Sequence, residues 1–99
     1  GECKIWDGPQ WHLKGCEQLL KRYMTGREFR SFCLDFFKGP GMYKKLEDLR
    51  LLLNAEKPLQ QAGDAKPHFI LGAFVTEHEH SSGRQVMMLH LGCNLHVEE

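Results

Sequence analysis

Five of the six histidines fall in the last third of the chain: His68, His78, His80, His90 and His96, with Cys93 among them. Imidazole and thiolate are the ordinary ligands of zinc and copper, so the first chemistry these residues suggest is a metal site. Spacing narrows the choice. If Ser81-Ser82-Gly83 closes a hairpin with His80 opposite Arg84, then His78 faces Val86 and Phe74 faces His90. All three histidines then share one sheet face. His78 and His80 stand about 7 Å apart, within reach of one ion, whereas His90 lies roughly 13 Å along the ladder. Zinc holds its ligands at about 2 Å, so the expected set is His78 and His80, with His96 or His68 as the third ligand. His90, Cys93 and His96 recur every third residue, a spacing that suits neither one strand face nor a compact ligand loop. The competing reading is a polar strand end with partly buried, hydrogen-bonded histidines. The run Glu77-His78-Glu79-His80 also places carboxylates beside imidazoles, the composition of a pH sensor. Alternation sends the two residue types to opposite faces, so their coupling is indirect.

Nucleophilic catalysis requires a thiol or hydroxyl beside a base. Cys93 near His90 and His96 is the one Cys/His pairing the sequence offers, and only adjacency supports it. No G-x-S-x-G, phosphate-binding loop, G-x-G-x-x-G or H-E-x-x-H is present. The enzyme reading is therefore set aside, and no catalytic residue is assigned. Basic residues line the first part of the chain, from Lys14 and Lys21 through Arg22, Arg27 and Arg30 to Lys44 and Arg50. Glu17, Glu28, Glu47 and Asp48 dilute them, and a solvated helical surface explains them without nucleic acid. Trp6 and Trp11 flank Gly8-Pro9, and Leu51 interrupts a polar arc. Met87 and Met88 put a flexible apolar side chain on each face of one strand. These five are the expected partner-binding residues, Trp being a frequent interface anchor.

The elements that must carry these residues follow from periodicity. Residues 11–24 predict an amphipathic helix, with Leu13, Cys16, Leu19, Leu20, Tyr23 and Met24 on one arc. Thr25 and Glu28 form a capping-box pattern that opens a second helix over 26–38, with Phe29, Phe32, Cys33, Phe36 and Phe37 on its apolar face. Gly39-Pro40-Gly41 ends it. A third helix spans 41–54, burying Met42, Leu46, Leu49 and Leu53. Residues 55–67 read as a loop. Residues 68–77 form an apolar run like a central strand, 84–91 its return strand, and 93–97 a short last strand after a bend at Gly92.

The 99 residues hold 13 basic and 13 acidic side chains, with 41% hydrophobic residues. That describes one ordinary domain rather than a disordered tail or a bilayer span. The first fifty residues carry a net +3 and the remainder −3. Four cysteines without a C-x-x-C pair argue against a zinc ribbon. Cys16 and Cys33 on apolar helix faces read as buried free thiols, hence an intracellular protein; a secreted one with two disulfides is the alternative.

The fold class expected is α+β, with three N-terminal helices followed by a small antiparallel sheet built on a hairpin near 68–91. Residues 1–99 are read as a single domain excised from a larger protein. The function expected is a non-enzymatic protein–protein interaction module that uses no cofactor and binds a protein partner or a second copy. The alternatives are a zinc-binding domain using the C-terminal histidines and a nucleic-acid-binding domain using the basic helix faces.

Overall fold

A computed structural model describes residues 2–22, 30–68, 73–79 and 85–96. The elements run β1 (Glu2–Ile5), α1 (Pro9–Arg22), β2 (Arg30–Phe37), α2 (Met42–Glu56), β3 (Lys66–Pro67), β4 (Phe74–Glu79) and β5 (Gln85–Asn94). The strands form one mixed sheet in the order β1-β2-β5-β4-β3. β1 and β5 lie parallel to β2, while β4 runs antiparallel to both β5 and β3. The α+β class holds. The expectation of three N-terminal helices followed by a small antiparallel sheet does not: the described residues contain two helices interleaved with five strands, and the sheet is mixed because β1 and β2 join it in parallel.

The second expected helix is strand β2. Its aromatic spacing is readable both ways, because Phe32 and Phe36 lie on the face away from the helices while Phe37 lies on the buried one, so the apolar residues do not alternate with polar ones. Cys33, Asp35 and Phe37 point to the helices and are buried, while Leu34 and Phe36 are half-buried on the other face. Pairing decides: β5 runs along the whole of β2, and β1 adds Glu2–Ile5 against 33–36. Three phenylalanines in eight residues suit that pleated surface. Thr25 and Glu28, the expected helix opening, lie outside the described residues.

The two helices that form follow local rules. α1 begins at Pro9, where the missing N–H is harmless and the fixed φ already helical. α2 begins after Gly41, which sits at φ 83°, and buries Met42, Leu46, Leu49 and Leu53 as the periodicity predicts. It stops at Lys57, whose N–H closes on the Leu53 carbonyl at 2.8 Å just before Pro58.

The expected loop over 55–67 contains β3, and Pro67 is tolerated because β3 is an edge strand. The hairpin register is the expected one, with Phe74 opposite His90 and His78 opposite Val86. The turn at 81–83 lies outside the described residues. β5 runs through Gly92 to Asn94 and lies inside the sheet, so it is not an edge open to strand addition. Gly92 is required by packing rather than by a bend. A Cβ there would stand 2.9–3.0 Å from Phe37 Cε1, Leu46 Cδ1 and Met42 Sδ.

Both helices cover the same sheet face. Cys16 and Leu19 of α1 pack on Cys33 and Met88, while Leu49 and Leu53 of α2 pack on Phe74. Trp6 stacks on Phe37 with ring centroids 4.9 Å apart. Among the described residues, no helix is long and apolar enough to cross a membrane.

Candidate metal centre

Three elements each deliver two side chains to the interior beneath α1. Helix spacing of four residues puts His12 and Cys16 on the same face of α1, one turn apart. Strand spacing of two residues puts Cys33 and Asp35 on one face of β2, and Met88 and His90 on one face of β5. Because β2 pairs Cys33 with His90, these faces adjoin. His12, Cys16, Cys33, Asp35, Met88 and His90 are all at most 3% exposed.

The polar members form a continuous chain of hydrogen bonds. His12 Nδ1 bonds the Asp35 carboxylate. His12 Nε2 meets His90 Nδ1 at 2.7 Å, and His90 Nε2 meets Thr76 Oγ1 at 2.7 Å. Thr76 Oγ1 meets His78 Nε2 at 2.7 Å, and His78 Nδ1 reaches the Leu59 carbonyl at 3.0 Å. A carbonyl only accepts, so with His78 and His90 neutral, the form that burial favours in both, it orders the protons along the chain. His78 Nδ1–H donates to Leu59 O, so His78 Nε2 accepts from the Thr76 hydroxyl. That hydroxyl accepts from His90 Nε2–H, leaving His90 Nδ1 to accept from His12 Nε2–H. Burial pushes both His78 and His90 below the ordinary histidine pKa, and for His90 the neighbouring His12 and His78 push further the same way.

The sulfur members lie against this chain. Cys16 Sγ and Cys33 Sγ are 3.2 Å apart as free thiols, and Cys33 Sγ is 4.0 Å from Met88 Sδ. The hydrogen bond to Cys33, then burial, raises the Cys16 thiol pKa far above its usual value; Asp35 adds to this and Lys4 opposes it. One ring nitrogen of His12 and the sulfurs of Cys16 and Cys33 all lie within 4.8 Å of one another. Among the described residues this is the group of His, Cys or acidic side chains with metal-ligand spacing.

The expected metal residues lie elsewhere. His78 is buried in the hydrogen-bond chain, His96 is half-buried with Nδ1 3.3 Å from the Lys38 carbonyl, and His80 lies outside the described residues. Neither His78 nor His96 belongs to the His12 group. Of the expected partner-binding residues, Trp11 is 42% exposed, Leu51 52% and Met87 39%, while Trp6 is half-buried and Met88 is fully buried. Trp11 lies under the Lys4 amino group, 4.0 Å from the ring centroid. Cys33 is a buried free thiol as expected, but on a strand rather than a helix.

Sequence reasoning passed over His12, Asp35 and Thr76. The available signal was the i, i+4 pair His12 and Cys16 on the buried arc of α1. Asp35 carried no signal, because it lies off the apolar face of the helix expected over 26–38. Comparison of the chain with protein-family models, with curated proteins and with solved structures finds no match.

Proposed function

We propose that this chain is a metal-binding α+β domain whose centre is the buried cluster of His12, Cys16 and Cys33. The observation that carries the reading is the convergence of three ligand atoms within 4.8 Å, from residues separated by 4 and 17 positions. One imidazole and two thiols suit a zinc- or copper-class ion, not calcium or magnesium, which take oxygen ligands. Binding at a His12 nitrogen displaces one of its two hydrogen bonds. The other remains to orient the ring, as outer-shell partners of ligating histidines do. Both thiols must lose their protons, so affinity rises steeply with pH. Since all three donors are at most 3% exposed, the centre holds an ion rather than presenting one to a substrate.

The test is metal titration of the reduced protein, followed by thermal unfolding. One equivalent of Zn(II) or Cu(I) per chain is expected, with stabilisation of about 2.7 kcal/mol at a free metal concentration one hundred times Kd. Cys33→Ser should abolish it. Protein that takes up neither ion, with an unchanged melting temperature, would refute the reading.

Association with a protein remains a second reading, supported by the sheet face opposite the helices. There Ile5 is 54%, Phe32 40% and Met87 39% exposed, beside half-buried Leu34 and Leu89. A second copy is the partner this face suits, because apolar sheet faces stack about 10 Å apart with aligned strands. Sedimentation equilibrium should give a dimer that Phe32→Asp dissociates; a monomer at every concentration would refute self-association.

A further inference from the structure

The cluster has three donors, and what stands beside the third bears on which ion it takes. Structural zinc sites are four-coordinate, with ligands drawn from cysteine, histidine and carboxylate. Here the two groups able to supply such a fourth ligand each hold one ring nitrogen of His12, so an ion at one nitrogen frees only the partner it displaces, and the other stays bound. Asp35 is bonded to His12, and His90 is bonded to both His12 and Thr76. The neighbour on the sulfur side is Met88, which is fully buried and packs in one cluster with Cys16 and Cys33. Thioether is not a usual zinc ligand but is a good ligand for Cu(I), the softer ion.

The separation of Met88 from Cys33 is that of two sulfurs on one ion. Two sulfurs bound at about 2.3 Å to one ion, at an angle between tetrahedral and trigonal, stand roughly 3.8–4.0 Å apart. Cys33 Sγ and Met88 Sδ are already 4.0 Å apart. Cys16 Sγ and Cys33 Sγ, at 3.2 Å, must open by roughly 0.6–0.8 Å once their hydrogen bond is replaced by metal bonds. Strand β5 thus contributes both ends of the site: Met88 faces the thiols, and two residues on, His90 faces His12.

We propose that the centre is a Cu(I) site in which Met88 supplies a thioether ligand alongside Cys16, Cys33 and His12. This rests on the metal-binding reading of the same cluster and adds the identity of the ion and a fourth ligand.

The experiment loads the reduced protein anaerobically with Cu(I) and reads the copper X-ray absorption fine structure, with Zn(II) loaded in parallel. Three sulfurs and one nitrogen around copper are expected. Met88→Leu, which conserves volume, should reduce the count to two sulfurs. It should weaken Cu(I) about tenfold or more against bathocuproine disulfonate, while Zn(II) affinity stays within about twofold. Two sulfurs in the wild-type copper spectrum, or an equal loss of both metals in Met88→Leu, overturns Met88 as a ligand and leaves the metal reading standing. Tighter binding of Zn(II) than of Cu(I) overturns the copper assignment in the same way. Failure to bind either ion overturns both. The wild-type spectrum needs no variant, so the proposal is decided even if Met88→Leu does not fold.

Discussion

Replacing Thr76 by valine tests the buried hydrogen-bond chain with almost no change of shape. Thr76 is fully buried, and its Oγ1 serves His90 Nε2–H as acceptor and His78 Nε2 as donor, each at 2.7 Å. Valine leaves one donor and one acceptor buried without partners. No tautomer change rescues both, because His78 Nδ1 must keep its proton for the Leu59 carbonyl. An orphaned buried group costs about 1–3 kcal/mol, so the pair costs roughly 2–6 kcal/mol. The added methyl and the better strand propensity of valine return about 1 kcal/mol. A net loss of about 1–5 kcal/mol is a large fraction of the roughly 5–15 kcal/mol that holds a domain folded. Urea unfolding of the metal-free protein measures it, with the slope m expected to stay constant. Thr76→Ser keeps the hydroxyl and should lose only about 1 kcal/mol for the missing methyl. If Thr76→Val unfolds within about 0.5 kcal/mol of wild type, or Thr76→Ser is the worse of the two, Thr76 does not bridge the histidines and the reasoning fails.

Two further predictions concern the metal-free chain. His78 and His90 have folded pKa values pushed below 6.5, so the unfolded chain takes up protons near that pH while the folded one does not. Stability is therefore fully present above about pH 6.5 and falls as the pH drops through it, by up to roughly 1.4 kcal/mol per pH unit for each histidine. The urea midpoint should be lower at pH 5.5 than at pH 7.5; an unchanged or higher midpoint at pH 5.5 refutes the neutral chain. Gly92→Ala drives a methyl to 2.9–3.0 Å from three core side chains, whereas the nearest atom to a Cβ at Gly39 is Lys45 Nζ at 3.7 Å. Denaturant unfolding should show a loss of about 1–3 kcal/mol for Gly92→Ala and little change for Gly39→Ala; equal effects would refute the packing argument.

What could be read in advance was whatever a short stretch of chain decides for itself. The period of Met42, Leu46, Leu49 and Leu53 with a glycine cap before it determines α2, because helix bonds and helix faces are local. The apolar arc from Leu13 to Leu20 makes α1 legible in the same way, though not its start at Pro9. The pairing of Phe74 with His90 follows from a short loop between two strands, since hairpin register is set by loop length. Residues 30–37 could not be settled so. Their aromatics fit a helix face and a two-sided strand equally, and only pairing with β1 and β5 removes the ambiguity. The centre was less legible still. The hydrogen bond from His12 to Asp35 spans 23 residues and the one from His12 to His90 spans 78. The histidine-rich C-terminal third drew attention to His78, His80 and His96 because density along the chain is visible and distance in space is not. The sequence alone determined that α1 would turn Cys16 inward. The sheet order decided the rest, because placing β2 between β1 and β5 brings Cys33, Asp35, Met88 and His90 beneath that helix.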